Sequence, residues 1–470
     1  MDIYEELKIK NKELPERWQS QQALDELEEF LQQNWAQRSV LYEDKEVKSK
    51  QQFLEFLPHG GVRTNNYIGT ITFLGEQLNI YPKVFKQGKD DDDVSDLSQK
   101  HLMRNLIRWL EYCSRAEYPF INVSTELVDA DNLKDLFVTL FVGYLRSTLE
   151  RGMYYRYVDE TADIKCIKGK FDVKDYMLNK IPNGQANLFK CTYSNFEFDN
   201  NVNRIIKYTC NSLIKQTDTS VKNQGELRKI LIRLNEVSDV PCKPSDCDHI
   251  RLSKMHSHYN IIISMCKMFL MNKTTDQVLD SHESFCFLFP TELLFEGFIG
   301  GFMRETMREY KGKVYLQKSD KYLIDEFEFR GQKAKKRLFN MKLDILTSYQ
   351  DKLFILDTKY KEIPRFEGDA DEVQATISSE VSQGDLYQVC EYASKYGNDE
   401  VYLLYPMYRY EEADTEFPAG YKKIEVDGEQ RKIKINFVRL PFIFEEDESK
   451  LREPLIRVIK QLFSVEEENE

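Results

Sequence analysis

The sequence predicts a multidomain protein of mixed α+β and α/β class, and two observations lead to this prediction. The chain has 470 residues, which is too long for one typical domain. Apolar residues follow helical spacing over the first 35 or so residues and then a period of two; helical spacing returns through the middle, and both patterns alternate in the last third. We therefore expect an N-terminal helix and β-hairpin region at 1–98, a mainly helical middle domain at 99–280 and an α/β domain at 281–470.

Composition and charge exclude several classes of protein. Hydrophobic residues make up 41% and aromatic residues 13% of the chain, so packed cores are expected and disorder is not. The net charge of −13 argues against a protein that coats nucleic acid by bulk electrostatics. An enzyme that meets DNA through one local basic surface, or that a partner delivers to DNA, remains compatible with this charge.

Cysteine usage and hydropathy indicate the compartment. The nine cysteines are scattered and form no CxxC pair, which is typical of reduced thiols in a cytosolic protein. The N-terminus has no apolar segment of the kind found in signal peptides, and no apolar run approaches the ~18 residues of a membrane span. We expect a cytoplasmic protein that makes no contact with a membrane.

The N-terminal region begins with a predicted helix over residues 1 to about 35, where Leu24, Leu27, Phe30 and Leu31 recur at helical spacing. The period then changes to two, and the stretch 67–82 predicts a hairpin that turns at Gly75-Glu76 and ends at Pro82. The acidic run at 88–95 is interpreted as an exposed linker, because nothing in the sequence preorganises its carboxylates for a cation.

The remaining elements follow from the same patterns. Apolar stripes predict helices in the middle of the chain at 102–112, 133–149, 203–215 and 258–271, with short extended pieces at 164–173 and 187–193. The final third predicts a helix from Thr291, a helix at 384–396 ended by Gly397, a strand at 401–405, a hairpin around Asp427-Gly428 and a helix at 451–463.

The stretch 341–361 reads as a β-hairpin that carries charged residues on apolar strands. A turn at Gln350-Asp351 would place Asp344 directly opposite Asp357, and Lys359 would share the face of Asp357. Directly opposed residues have Cβ atoms roughly 4.5–5.5 Å apart, where like charges destabilise a sheet. Two carboxylates so placed, with a lysine beside them, predict a divalent cation between them.

Cleavage of a phosphodiester with the help of metal ions uses this chemistry. Mg²⁺ takes oxygen ligands and keeps several waters, so two or three carboxylates suffice to hold it. Asp344 and Asp357 are the predicted ligands, the carbonyl of Thr358 is a further candidate, and Lys359 would polarise water or steady the developing charge. Glu296 is the candidate third carboxylate, because it interrupts an apolar helix in which a charge is otherwise costly.

A second helix completes the predicted site. Gln388 and Tyr392 are one helical turn apart on the same face, where both could hydrogen-bond a phosphate or hold the lysine in place. The spacing of the two aspartates and the lysine is a weak pattern by itself, and a bare match is more often a solvated rim of a hairpin. The order of helix, hairpin and helix around it favours the interpretation as a site.

These residues resemble the PD-(D/E)xK nucleases, and within them the McrC-type subunits of McrBC modification-dependent restriction systems. The helix motif LFEGFI, the strand motifs LDIL and LDTKYK, and the helix motif DLYQVCEYA are similar to the core motifs of that family. Three upstream blocks are also similar to family elements, at 67–83, 167–170 and 193–207. Leu343 stands where the family usually has proline, Ser194-Asn195 replaces acidic residues, and 1–60 and 221–258 have no clear counterpart.

The resemblance implies a fold and a division of labour. It implies a restriction-endonuclease-like α/β core at the C-terminus and a Mg²⁺-dependent DNA endonuclease with Asp344, Asp357 and Glu296 at the metal. It further implies that the chain binds a ring of McrB-like AAA+ GTPase subunits and stimulates them through its N-terminal region, while the partner or another module recognises modified DNA. The chain contains no GxxxxGK[ST] motif, so it is not expected to hydrolyse nucleotide itself.

Two other functions remain open at this point. The chain could be a non-catalytic assembly and GTPase-activating subunit with a vestigial nuclease core, although a scaffold has no need of opposed carboxylates. It could also be a nuclease for RNA or free DNA ends that works with a different motor.

Four further patterns receive an interpretation. The cluster Cys242, Cys247, His249, His256 and His258 matches no common zinc spacing and is interpreted as free thiols and surface imidazoles. The basic stretch 333–337 is a candidate for contact with the nucleic-acid backbone, and a solvated loop is an equally good interpretation. Gly300-Gly301 predicts close packing against strands, and the tyrosines at 402, 405, 408 and 410 are expected in the sheet edge and core.

Overall fold

The fold is described from a computed structural model of the chain. It describes residues 1–36, 50–58, 60–88, 93–94, 99–113, 133–215, 219–274, 284–329, 332–334, 337–363, 365–409, 411, 417–426, 429–445 and 449–464. Most of the acidic run at 88–95 therefore lies outside the described residues. The prediction of an exposed linker there stays a prediction.

The chain forms two compact units. The first unit combines residues 1–133 with 284–470, and the second unit is the continuous segment 134–283. The structure thus has mixed α/β architecture with several separate sheets, as expected from the sequence. The predicted three-part division at 98 and 280 stays a prediction, but contacts within the first unit join the two ends of the chain.

The N-terminal part of the first unit consists of short strands around one long helix. The elements are β1 (Asp2–Tyr4), β2 (Lys8–Ile9), α1 (Gln21–Ala36), β3 (Leu54–Phe56), β4 (Val62–Thr64), β5 (Tyr67–Phe73), β6 (Glu76–Tyr81) and α2 (Gln99–Tyr112). Strands β2, β4 and β3 form a three-stranded sheet in that order. Strands β1, β6 and β5 form a second sheet, which is completed by β10 (Phe285–Pro290).

The prediction of a helix from residue 1 is wrong for the first twenty residues. Helix α1 begins at Gln21, and the segment before it contains β1, β2 and two short 3₁₀ turns. Strand β1 pairs in parallel with β6, where Ile3 lies beside Ile80. Since this pairing joins residues that are far apart in sequence, no local periodicity of apolar residues predicts strand β1.

The predicted hairpin at 67–82 is present, but its turn lies one residue earlier than expected. Phe73 pairs with Glu76, so Leu74 and Gly75 form the loop, both with left-handed backbone. Positive φ at both central residues is the geometry that lets a two-residue turn match the twist of its strands. Strand β6 ends at Tyr81, directly before Pro82, as predicted.

The second unit contains a small sheet and a group of helices. The elements are α3 (Leu133–Arg151), β7 (Arg156–Ile164), β8 (Lys170–Phe171), α4 (Val173–Asp175), β9 (Phe189–Glu197), α5 (Asn201–Ile214), α6 (Val221–Arg233), α7 (Pro244–Asp248) and α8 (Tyr259–Thr274). The sheet has the order β7-β9-β8. The predicted helices at 102–112, 133–149, 203–215 and 258–271 correspond to α2, α3, α5 and α8 and are confirmed.

The C-terminal part of the first unit is built on a six-stranded mixed sheet of order β11-β14-β15-β16-β18-β17. Its elements are α9 (Thr291–Glu309), β11 (Lys313–Ile324), β12 (Phe327–Phe329), β13 (Gln332–Ala334), β14 (Leu338–Tyr349), β15 (Lys352–Thr358), α10 (Ala370–Glu380), α11 (Gln383–Tyr396), β16 (Glu400–Pro406), β17 (Ala419–Val426), β18 (Glu429–Leu440) and α12 (Ser449–Phe463). Strands β15, β16 and β18 run parallel, and the other pairings in this sheet are antiparallel.

The predicted elements of this region are confirmed. Helix α9 starts at Thr291, α11 ends at Gly397 in the left-handed conformation, and β17 and β18 pair from Val426 to Glu429. Three of the four tyrosines singled out above, Tyr402, Tyr405 and Tyr408, are buried in the core. Tyr410 lies outside the described residues.

Close packing at Gly300 and Gly301 positions α9. A side chain on Gly300 would meet Leu316 of β11, so this glycine faces a strand as predicted. A side chain on Gly301 would run into the carbonyl of Tyr112 in α2, so this glycine faces a helix instead. Helix α11 follows the hairpin in sequence and packs against it, since Val389 and Ala393 share a buried cluster with Ile355 of β15. Both helices therefore pack against the strands of the hairpin.

A buried carboxylate joins the N-terminal segment to α9 and to the residues that follow β15. Glu5, directly after β1, is 1% exposed. It accepts hydrogen bonds from the Lys83 backbone N–H at 3.0 Å, from Tyr360 Oη at 2.7 Å and from Thr291 Oγ1 at 2.6 Å. Thr291 is the first residue of α9, and Tyr360 follows Lys359. Burial raises the pKa of Glu5, although Lys83 and these donors oppose the shift.

No helix in the described part of the chain is long and apolar enough to cross a membrane.

Replacing Glu5 by alanine is expected to destabilise the protein strongly. The change leaves three buried donors without an acceptor, and each such group costs roughly 1–3 kcal/mol. We expect the free energy of unfolding, measured by urea denaturation, to fall by about 3 kcal/mol or more. Glu28→Ala, on the exposed face of α1, is the control and should change it by less than about 0.5 kcal/mol. Equal effects of the two substitutions would contradict the assigned role of Glu5.

Candidate active site

The hairpin β14–β15 sets the geometry of the site. Its ladder runs from Ile345 opposite Leu356 to Tyr349 opposite Lys352, and the turn residues Gln350 and Asp351 both have left-handed backbone. This is the register predicted from the sequence. The next position beyond the ladder places Asp344 across from Asp357. The turn therefore decides that the two carboxylates meet.

Asp344 is anchored by the end of the opposite strand. Its Oδ2 atom accepts hydrogen bonds from the Thr358 backbone N–H at 2.9 Å and from Thr358 Oγ1 at 2.8 Å. Both donors hold the carboxylate in one orientation. The use of the Thr358 carbonyl as a metal ligand stays a prediction.

Asp357 is the most unusual group of the site. Its side chain is 1% exposed, Oδ2 lies 2.6 Å from Lys359 Nζ, and Oδ1 has no hydrogen-bond partner among the described residues. Burial raises the pKa of Asp357 well above its ordinary range, and the charge of Asp344 adds to this effect. A buried carboxylate oxygen without a partner is costly, and a bound cation is one of the few ways to satisfy it. The residues present therefore fit a divalent cation.

Lys359 is held by three side chains. Besides Asp357, its Nζ lies 3.1 Å from Gln388 Oε1 and 3.9 Å from Asp385 Oδ1. Burial alone would lower the pKa of Lys359, but the charges of Asp357, Asp344 and Asp385 outweigh burial and raise it. The lysine is therefore a fixed positive charge at neutral pH.

Gln388 and Tyr392 connect this lysine to the hairpin. Gln388 Nε2 donates to Tyr392 Oη at 2.7 Å, and Tyr392 Oη donates to the carbonyl of Lys342 at 2.8 Å. The chain of hydrogen bonds thus ends on the backbone of β14. Gln388 thus contacts the lysine directly, and Tyr392 contacts Gln388. The predicted contact of either residue with phosphate stays a prediction.

Glu296 approaches the site from α9 but does not meet Asp344 directly. Its Oε1 accepts a hydrogen bond from Gln317 Nε2, and the same nitrogen lies 3.5 Å from Asp344 Oδ1. In the described part of the chain, no three His, Cys, Asp or Glu side chains lie close enough together to hold one metal ion. Glu296 is thus separated from the aspartate pair by an amide, and its role as a metal ligand stays a prediction.

Two members of the site were missed from the sequence. Asp385 forms ion pairs with Lys361 at 2.6 Å and with Lys359. Asp385 could have been predicted, because it stands three residues before Gln388 on α11 and both then lie on one helical face. Gln317 gave no signal, since a single glutamine in a strand is ordinary and its contacts depend on the register of β11.

The histidine and cysteine cluster is engaged in local contacts. His249 Nδ1 lies 2.8 Å from the Ser245 carbonyl, and His256 Nδ1 lies 3.0 Å from Ser253 Oγ. Burial raises the pKa of Cys242 to about 11 and that of Cys247 to about 12, so both thiols stay protonated at neutral pH. Zinc requires thiolates, and these observations favour the interpretation as free thiols.

The basic stretch 333–337 is only partly described. Lys335 and Lys336 lie outside the described residues, and Arg337 is exposed with its guanidinium 5.7 Å from the ring centre of Tyr322. Its contact with a nucleic-acid backbone stays a prediction.

The fold and the site define a mixed α/β protein with an opposed aspartate pair and a fixed lysine at the end of a β-hairpin. The family model described as "McrBC 5-methylcytosine restriction system component" matches residues 62–406. The chain belongs to this family. The matched segment contains all six site residues predicted from the sequence, whereas Glu5 lies outside it.

Individual relatives agree with this assignment. The chain is 24% identical over 267 residues to the "Type IV methyl-directed restriction enzyme EcoKMcrBC" of Escherichia coli K12, a match that covers 55% of this chain and 73% of the relative. It also resembles a chain in a structure of McrB AAA+ hexamers with bound McrC from Thermococcus gammatolerans, with a TM-score of 0.60. That match covers 97% of this chain and 99% of the other at 15% sequence identity, so it shows the fold.

Asp357→Asn is expected to change how stability depends on pH. A carboxyl group whose pKa is raised by folding stabilises the protein below its unfolded pKa, about 3.9, and this contribution disappears as the pH rises through the folded pKa. We expect the free energy of unfolding of the metal-free wild type to fall between about pH 4 and the neutral range. The fall should be smaller in Asp357→Asn.

Urea denaturation in EDTA across this pH range measures both proteins. Asp351→Asn, in the exposed turn of the same hairpin, is the matched control and should follow the wild type. The same pH dependence in all three proteins would contradict a raised pKa at Asp357.

Proposed function

We propose that this chain is the Mg²⁺-dependent DNA endonuclease subunit of an McrBC-like restriction complex. In this proposal it cleaves DNA phosphodiester bonds when assembled with a GTP-hydrolysing AAA+ partner, and it stimulates that partner. Family membership and the fold shared with a chain from an McrB–McrC assembly support the proposal. The C-terminal six-stranded sheet would then be the PD-(D/E)xK core.

The observation that carries the proposal is the buried Asp357 beside Lys359. A carboxylate with one unpaired oxygen, opposed by Asp344, is costly to a purely structural protein. The same arrangement is useful where a divalent cation and a phosphate must meet. A vestigial core would be free to replace any of these groups.

The side chains divide the chemistry among them. Mg²⁺ bound by Asp344 and Asp357 would act as a Lewis acid on a phosphate oxygen and lower the pKa of a water molecule. Lys359 stays protonated, so it steadies negative charge that develops on the phosphate and does not accept a proton from water. Gln388 and Tyr392 hold the lysine, and Glu296 would assist through water or a second ion.

The second unit exposes a group of large apolar side chains. The strands β7 and β9 pair Tyr157 with Phe196, whose ring centres are 4.5 Å apart, although these side chains are 60% and 57% exposed. Further large apolar side chains are exposed nearby in sequence, namely Ile167, Val173, Met177, Leu178 and Ile181. Exposed apolar patches mark sites of protein contact. This surface is our candidate for partner binding, beside the contact through 1–98 that was predicted from the sequence.

Asp357→Ala tests the nuclease assignment. Loss of the metal removes several kcal/mol of charge stabilisation, so DNA cleavage in Mg²⁺ by the assembled complex should fall at least about a hundredfold. Stimulation of partner GTP hydrolysis should persist, because the Asp357 side chain is buried and makes no surface for a partner. Asp351→Ala in the turn is the matched control and should cleave like the wild type.

The outcomes separate the alternatives. Unchanged cleavage by Asp357→Ala would mean that the nuclease site lies elsewhere. A wild-type complex that stimulates GTP hydrolysis and cleaves no DNA would favour the non-catalytic assembly subunit.

The contact surface has a test of its own. Replacing both Tyr157 and Phe196 by serine removes exposed apolar area without touching a core, so the thermal midpoint should change little. We expect weaker co-purification with the AAA+ partner and at least about tenfold lower stimulation of its GTPase, which corresponds to about 1.4 kcal/mol of binding. Replacing the exposed Tyr421 of β17 by serine is the control. Full stimulation by the double variant would exclude this surface.

A further inference from the structure

Gln317 occupies an unusual position on strand β11. The pairs Leu316 with Ile345 and Lys318 with Leu343 place it across from Asp344. Its backbone has φ +52°, in the left-handed region that residues other than glycine rarely adopt. Such backbone persists where the surroundings enforce it, and it is concentrated at functional sites.

The side-chain amide of Gln317 lies between two carboxylates. Its Nε2 donates to Glu296 Oε1 and lies 3.5 Å from Asp344 Oδ1. Glu296 comes from α9 and Asp344 from β14, so the amide joins the two elements that supply candidate metal ligands. An N–H group placed there reduces the repulsion between two negative charges.

The other end of the same amide is its oxygen, Oε1. Gln317 Oε1 is buried, without a partner among the described residues. A buried carbonyl left unsatisfied costs roughly 1–3 kcal/mol. Rotation of the amide by half a turn exchanges nitrogen and oxygen without moving the backbone. Carboxylates that face a cation require oxygen there and not N–H.

We propose that Gln317 is a further residue of the metal site. In the metal-free protein its N–H group bridges Glu296 and Asp344, and when a divalent cation binds it turns to offer Oε1 as an additional oxygen ligand. Amide oxygens and carboxylates are ligands that hard divalent cations accept. This inference rests on the proposed function, because it needs a cation at the aspartate pair.

Binding of Mn²⁺ to the full-length chain alone, followed by electron paramagnetic resonance of the free ion, tests the assignment without any cleavage assay. Gln317→Met keeps the length of the side chain and removes the oxygen, so Mn²⁺ affinity should fall on the order of tenfold. Gln317→Glu supplies an oxygen with a charge, so it should bind Mn²⁺ at least as tightly as the wild type. Without metal, Gln317→Glu should be less stable, since three carboxylates then meet.

Gln350→Met is the matched control, because Gln350 is also a glutamine with left-handed backbone but lies in the exposed turn of the hairpin. It should bind Mn²⁺ like the wild type. Where Gln317→Met fails to fold, Gln317→Asn retains the amide on a shorter stem, and its Mn²⁺ affinity should still fall severalfold.

Two results would overturn the inference, and they differ. In the first, Gln317→Met or Gln317→Asn binds Mn²⁺ as tightly as the wild type or more tightly, whereas Asp357→Asn loses binding. The aspartate pair would then still be the metal site, and the Gln317 amide would be only a spacer. Wild-type binding by Asp357→Asn would instead remove the metal site from the aspartate pair, and the inference about Gln317 would fail with it.

Discussion

The structure of the site depends on one unfavourable contact, the opposition of Asp344 and Asp357 across a β-hairpin. The left-handed turn at Gln350 and Asp351 fixes the register, and this register places the two carboxylates opposite each other. A slip of one residue would turn the apolar residues of one strand to the wrong face, so core packing enforces the pair. The sheet therefore supplies the free energy that holds two like charges together.

The surrounding side chains compensate this repulsion only in part. Thr358 donates twice to Asp344, and Lys359 balances one charge of the pair. Gln317 adds an N–H between Asp344 and Glu296. One oxygen of Asp357 stays without a hydrogen bond among the described residues. The pair therefore lacks positive charge, which the proposed cation would supply.

The same unit also ties the beginning of the chain to this site. Glu5 accepts hydrogen bonds from the first residue of α9 and from the tyrosine after Lys359. The distance between α9 and the end of β15 is thus fixed through a residue at the N-terminus. Glu296 lies on α9, and Asp357 and Lys359 lie at the end of β15, so the N-terminal segment belongs to the framework of the site.

Local rules predicted part of this arrangement and non-local pairing decided the rest. The hairpin register followed from the sequence because the turn residues and the flanking strands are neighbours in the chain. Strand β1 was missed because its partner β6 lies far along the chain, and the three residues of β1 carry no period of their own. Gln317 was missed because its role comes from left-handed backbone and from two carboxylates on other elements. Asp385 could have been found, since α11 places it beside Gln388.

Under the proposed function, the charge balance of the site would link metal binding to DNA binding. The site contains four carboxylates and two lysines. The carboxylates belong to Asp344, Asp357, Glu296 and Asp385, and the lysines are Lys359 and Lys361. A phosphate entering this site without a cation would meet net negative charge, and a cation would bind more tightly once a phosphate oxygen completes its ligands. Each ligand then raises the affinity for the other by the same factor. Under the proposed function, the metal and DNA would therefore bind cooperatively.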